Sequence, residues 1–153
     1  INKICKLKGI NPDKTNLSII CDGISMAAEY ARFDNRQFKV LKTNLPGPFT
    51  FILPSSSSLP KVFKGRKTVG IRVPENNVAV ELVRRLGNPI LSTTISYTDD
   101  DYAVNPELIA ETYADSAAYL LDGGDGGLIP STVVDMTSGE LEIVREGKGD
   151  LIY

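Results

Sequence analysis

A chain of 153 residues with 42% hydrophobic and 24% charged side chains is sized for one folded domain with a real core, which excludes an intrinsically disordered chain. The formal net charge of −2 excludes a globally basic nucleic-acid binder, and the absence of any apolar run near ~20 residues excludes a membrane-spanning helix. With no histidine, Ser-His-Asp triads, Cys-His dyads and histidine-bearing zinc sites are excluded. Catalysis, if any, must rest on positioning, electrostatics, Lys, Arg, carboxylates and hydroxyls.

The start, Ile1-Asn2-Lys3-Ile4-Cys5, has neither an initiator Met nor the apolar core of a secretory signal, so the chain is expected to begin after its natural start. Cys5 and Cys21 make no disulfide framework and are expected to be reduced, buried thiols of a cytoplasmic protein. Lys6-Leu7-Lys8, taken as extended, places both amines on one face, where they can straddle phosphates. Leu17–Cys21 reads as a buried strand, and 23–31 as a helix with Ile24, Ala27, Ala28 and Ala31 on one side. Asp34 can cap a second helix running to Lys42, ended by Pro46-Gly47-Pro48. Phe49–Leu53 reads as a strand, 54–60 as a polar loop, and Thr68–Val73 as a further strand stopped by Pro74.

Asn76 or Asn77 caps a helix running to Leu86, with Gly87 as its stop. Pro89–Ile95 is a strand ending in hydroxyls, and Asn105-Pro106-Glu107 is a strong helix start. Ala117–Leu121 reads as a strand running into a glycine-rich stretch. Thr132–Asp135 and Leu141–Val144 read as a hairpin turning at 137–140. Helices alternating with strands early, and paired strands late, predict an α/β domain with a twisted, mixed sheet.

Several motifs bear on chemistry. The run Asp122-Gly123-Gly124-Asp125-Gly126-Gly127 has no following Lys-Ser/Thr and opens no helix, so it reads as a flexible turn rather than a phosphate loop. Ser92-Thr93-Thr94 ends a strand and Ser131-Thr132 begins one; such hydroxyls either bond a ligand phosphate or cap a turn, and ligands of open α/β sheets favour the carboxyl ends of strands. Arg72, inside an apolar strand, calls for an acidic partner or an anionic ligand, the ion pair being the commoner answer. The basic clusters Lys3, Lys6, Lys8, Lys14 and Lys61, Lys64, Arg66, Lys67 are either solvated surface or a local basic face on an acidic molecule.

Taken in order, Lys6-x-Lys8, Leu45-Pro46-Gly47-Pro48-Phe49-Thr50-Phe51-Ile52-Leu53, Val69-Gly70-Ile71-Arg72-Val73-Pro74, Pro89–Thr94, Asp122-Gly123-Gly124, Pro130-Ser131-Thr132-Val133-Val134-Asp135 and Arg145-x-Gly147 resemble the YrdC/YciO family, the domain of threonylcarbamoyl-AMP synthases. The resemblance covers nearly the whole of 1–153 as one domain and implies a YrdC/RibB-like open sheet with a concave basic cleft. It implies binding of ATP with magnesium, L-threonine and bicarbonate, condensed to threonylcarbamoyl-AMP and pyrophosphate for tRNA modification, with no tightly bound cofactor. The alternative it carries is a non-catalytic module for tRNA or double-stranded RNA, or a translation factor.

By the same resemblance Lys6 and Lys8 meet phosphate and carboxylate groups, and Thr50 lines a threonine pocket. Ser92 and Thr94 stand near the nucleotide, Ser131 and Thr132 border the cleft, and Arg145 reaches a phosphate. Lys61, Lys64, Arg66 and Lys67 are the candidate RNA contacts. Three departures stand out. A Tyr-Pro-Thr-Asp-type loop with its helix and strand is missing from the start, so this stretch alone is expected to have an open, inactive site. Thr94-Ile95-Ser96 replaces Ser-Ala-Asn, which places the chain nearer the YciO branch. Lys8 stands where an Arg is usual, and an amine cannot reproduce a guanidinium fork.

Overall fold

The strand period sorts side chains onto two unlike faces of one sheet. The computed structural model describes every residue except 10, 12–16 and 60–65. Along β2 (Phe49–Pro54), Phe49, Phe51 and Leu53 are buried in the core, whereas Thr50 and Ile52 line the opposite face. In β3 (Thr68–Arg72), Val69 and Ile71 enter the core while Gly70 and Arg72 face the other way. Ile19 of β1 (Ser18–Ile20) and Val134 of β5 (Thr132–Asp135) continue the buried layer. Burying a side chain such as Phe51, Leu53 or Ile71 stabilises by about 1.5–3 kcal/mol, so this face drives the fold.

The six strands run in the order β4-β1-β3-β2-β5-β6, with β4 (Ile90–Ser92) and β6 (Glu142–Arg145) at the edges. β1 lies parallel to β3, and β2 parallel to β5; the β1–β4, β2–β3 and β5–β6 pairs are antiparallel. This is the open, mixed α/β sheet that the alternating pattern predicts.

Helices cover the apolar face. In α3 (Asn35–Asn44), Asp34 Oδ1 accepts from the Gln37 amide at 2.8 Å and Gln37 Oε1 accepts from the Asp34 amide at 2.9 Å, a reciprocal cap. α2 (Ile24–Tyr30) buries Ala27, and α4 (Asn77–Leu86) buries Val83. α4 begins at Asn76, which accepts from the Ala79 amide, and stops at Gly87, whose φ of 72° suits a residue without Cβ. A short α5 (Asp101–Val104) leads into α6 (Pro106–Tyr113), capped by Asn105 as its sequence predicts. Both cysteines are buried and unpaired. Among the described residues no helix is long and apolar enough to cross a membrane.

Three local expectations are corrected. Lys6-Leu7-Lys8 is helical, not extended: α1 (Asn2–Lys8) ends at Gly9 with φ 61°. Ile1, Ile4 and Cys5 carry the helical spacing that defines this element, and Cys5 is buried. Residues two apart on a helix point about 200° apart, so Lys6 and Lys8 diverge. The segment 117–121 forms no strand; Tyr119 and Leu121 are 89% and 61% exposed. An extended segment with no sheet edge beside it leaves its amides to water. The Pro89–Ile95 strand is shorter than expected, with β4 ending at Ser92.

Candidate anion-binding cleft

The sheet face turned away from the core carries a row of small and hydroxyl side chains. Cross-strand register sets Ser92 opposite Ser18, Ser18 opposite Gly70, and Gly70 opposite Ile52. The Ser18 and Ser92 hydroxyls lie 3.1 Å apart. Gly70 keeps this floor low: a Cβ there would stand 3.0 Å from Ser18 Cβ and 3.2 Å from Thr50 Cγ2. Above the floor is a hollow of about 270 Å³ that reaches Thr50, Arg72, Ser92, Thr94, Ser131 and Arg145. A second hollow, about 430 Å³, shares Arg72, Thr94, Ser131 and Arg145 and extends beneath Gly127–Pro130.

Thr50, Ser92, Thr94, Ser131 and Arg145, scattered over nearly a hundred positions in the chain, therefore line one cleft. Thr50 and Ser131 hydroxyls are 2.9 Å apart. Arg145 donates to the Ser131 carbonyl from Nη2 at 2.6 Å, which orients its guanidinium along the wall. Gly147, two residues on, lies tight against the same segment: a Cβ there would come within 2.6 Å of the Ser131 carbonyl carbon.

Arg72 departs from its commoner expectation. Among the described residues no ion pair to it is found, whereas on exposed α4 Glu81 pairs with Arg84 and Arg85. Its Nε is buried without a hydrogen-bond partner. Burial, and then the charge of Arg145, push the Arg72 guanidinium below its ordinary value. Two cations share a wall, and among the described residues no Asp or Glu lines either hollow. A half-buried cation of this kind, with one nitrogen buried and unpartnered, is stabilised by an anion entering the cleft.

The other predicted residues separate. Lys8 reaches the rim, where its Nζ donates to Thr94 O at 2.7 Å and Ser96 Oγ at 3.1 Å. Lys6 is exposed on α1 and lines neither hollow. Thr132 is 1% exposed and turned away: its hydroxyl donates to Gly149 O at 2.7 Å and accepts from the amides of Gly147 and Gly149. Lys61 and Lys64 lie outside the described residues. Arg66 and Lys67 precede Thr68, which pairs with Pro54, so they sit at the far end of the β2–β3 hairpin from Arg72, about 13 Å along a strand rising ~3.3 Å per residue.

Sequence reasoning missed Ser18, whose strand reads as buried throughout, and Tyr113, whose hydroxyl donates to Ser96 O at 2.9 Å and accepts from the Ser96 amide at 3.1 Å. The period-2 alternation of Leu17, Ile19 and Cys21 around Ser18 is the signal for the first.

Chemically, the cleft can bind and orient anions. It offers no carboxylate base, and the Cys21 thiol belongs to the buried core layer, with its pKa pushed up to about 12 by burial and the nearby Asp22 and Glu29. Nor do these residues fit a protein-held magnesium ion, which takes carboxylate oxygens; among the described residues no cluster of three or more His, Cys, Asp or Glu side chains could hold a metal. Magnesium in this cleft would have to come with the phosphates of its ligand. A larger hollow, about 690 Å³, lies on the helix-covered side between α2, α3 and α4 and includes none of the predicted site residues.

The profile of the Sua5/YciO/YrdC family, described as telomere recombination, matches residues 1–147. A Haemophilus influenzae protein is 36% identical over 142 residues, covering 90% of this chain and 69% of that protein. YciO of Escherichia coli K12 is 34% identical over 154 residues, 99% of this chain and 74% of YciO. The E. coli YciO crystal structure superposes with a TM-score of 0.87 over 97% of this chain and 73% of that one. A threonylcarbamoyl-AMP synthase of Pyrococcus abyssi is 29% identical over 104 residues, 67% of this chain and 31% of the synthase. The crystal structure of P. abyssi Sua5 complexed with L-threonine superposes with a TM-score of 0.82 at 26% identity, covering 95% of this chain and 44% of that one.

Proposed function

The chain belongs to the Sua5/YciO/YrdC family, and from that membership we propose that its cleft holds the phosphates of ATP beside L-threonine, in a protein of the threonylcarbamoyl-AMP synthase type. The observation that carries this reading is the Arg72–Arg145 wall: a buried guanidinium nitrogen without a partner, a second guanidinium nearby, and, among the described residues, no carboxylate lining the cleft. Such a wall favours a multiply charged anion.

In the proposed reaction, threonine and bicarbonate form a carbamate with loss of water. A carbamate oxygen attacks the α-phosphorus of ATP, the bond to the bridging oxygen breaks, and pyrophosphate leaves. No side-chain nucleophile is required. The protein's part is alignment and charge neutralisation, which suits a cleft of guanidinium groups and hydroxyls. Arg72 and Arg145 would take phosphoryl oxygens, while Thr50 and Ser131 would orient the smaller substrate.

The direct test measures pyrophosphate released from ATP, bicarbonate and magnesium with and without L-threonine, alongside calorimetric ATP binding to the unaltered chain and to Arg145→Met. Threonine-dependent release supports the synthase reading. ATP binding that Arg145→Met weakens roughly tenfold or more, without release, supports a nucleotide-binding protein that lacks the synthesis step. An unaltered chain that binds neither ATP nor pyrophosphate overturns both.

The alternative of an RNA-holding module draws on Arg66 and Lys67 at the other end of the hairpin. It requires tRNA affinity that falls steeply with salt and is lost in Arg66→Glu/Lys67→Glu.

A further inference from the structure

The rim of the cleft is held by side chains from two helices. Residues 93–96 follow the end of β4 and belong to no strand, yet Thr93 and Thr94 line the smaller hollow and Thr94 and Ile95 the larger. Irregular, exposed backbone of this kind is ordinarily mobile. Here α1 supplies Lys8, which holds Thr94 O and Ser96 Oγ. α6 supplies Tyr113, whose single hydroxyl donates to Ser96 O and accepts from Ser96 N. One phenol thus satisfies both main-chain polar groups of a residue, as a neighbouring strand would. Tyr113 is the last residue of α6, the helix whose start Asn105 caps.

We propose that Tyr113 is a positioning residue of the cleft: by clamping Ser96 it sets where Thr94 stands relative to Arg72, with Lys8 as the second anchor. This rests on the reading that the cleft takes nucleotide phosphates. Tyr113 lines neither hollow, so its influence on a ligand passes through the rim backbone. The hydroxyl is the working group, because the ring alone can make neither bond.

The experiment compares the unaltered chain with Tyr113→Phe and Tyr113→Leu. Two quantities are measured: hydrogen exchange of the Ser96 amide by NMR without ligand, and ATP affinity by calorimetry. In Tyr113→Phe, Ser96 exchange is expected to rise by about tenfold or more and ATP affinity to fall by about three- to tenfold, with Tyr113→Leu no worse. A role in packing alone predicts that Tyr113→Phe behaves as the unaltered chain, which overturns the proposal. So does a Ser96 amide that loses protection while ATP affinity stays put. If the unaltered chain does not bind ATP, the nucleotide reading of the cleft fails first and the proposal falls with it. That outcome differs from binding that is present but indifferent to Tyr113.

Discussion

The hydroxyls of Thr50 and Ser131 lie 2.9 Å apart although 81 positions separate them in the chain. The parallel pairing of β2 with β5, which sets Phe49 beside Thr132, brings them together. Arg145 Nη2 donates to Ser131 Oγ at 3.2 Å, so Ser131 can pass its own proton to Thr50 and leave the Thr50 proton for a ligand. The three side chains form one polar chain along the cleft wall.

Arg72→Met should separate stability from binding. Methionine keeps much of the side-chain volume, removes an unpartnered buried nitrogen and ends the repulsion with Arg145. Unfolding free energy in urea is expected to rise by about 1 kcal/mol. ATP affinity should drop by roughly tenfold or more in calorimetry. A variant less stable than the parent would show that Arg72 has a structural partner.

Gly70→Ala places a Cβ 3.0 Å from Ser18 Cβ and 3.2 Å from Thr50 Cγ2. The two neighbouring strands must give way, at a cost of about 1–3 kcal/mol. Because the new methyl group rises from the cleft floor, ligand affinity should fall as well. Thermal melting and calorimetry on the same sample check both effects.

Thr132→Val keeps the shape of the side chain but strands Gly149 O and the amides of Gly147 and Gly149. A loss of about 2 kcal/mol or more in urea unfolding is expected. If Thr132 instead served the ligand directly, ATP affinity would fall with little change in stability.

Cys21 gives a pH dependence of known sign. Burial holds its thiol protonated up to about 12, against 9.0 ordinarily. The folded state therefore keeps a proton that the unfolded state has released, so this contribution is fully present below pH 9.0 and is lost as pH rises towards 12. Tyr30, also raised by burial, acts in the same direction. Urea midpoints measured at rising alkaline pH should fall more steeply for the parent than for Cys21→Ala. At neutral pH the folded protein should resist thiol reagents at this position.

Local chemistry was legible wherever a residue's role is settled by its near neighbours. Asp34, Asn76 and Asn105 cap helices as predicted, because an N-cap needs only the next three amides. The period-2 strands Phe49–Leu53 and Thr68–Val73 were legible for the same reason. Lys6-x-Lys8 has the spacing of an extended phosphate-binding pair, but the helical spacing of Ile1, Ile4 and Cys5, with Cys5 buried, decides the element. Tyr119 and Leu121 misled because an apolar run becomes a strand only beside an edge that accepts it.

From residue order alone came the family motifs, the helix caps, the strands Phe49–Leu53 and Thr68–Val73, and the exclusion of histidine chemistry. Only the tertiary structure decided that Arg72 has no acidic partner among the described residues, that Thr132 bonds the backbone of Gly147 and Gly149 rather than lining the cleft, and that Tyr113 grips Ser96. Each of these depends on which distant backbone lies within about 3 Å of a side chain, and strand order and loop path set that.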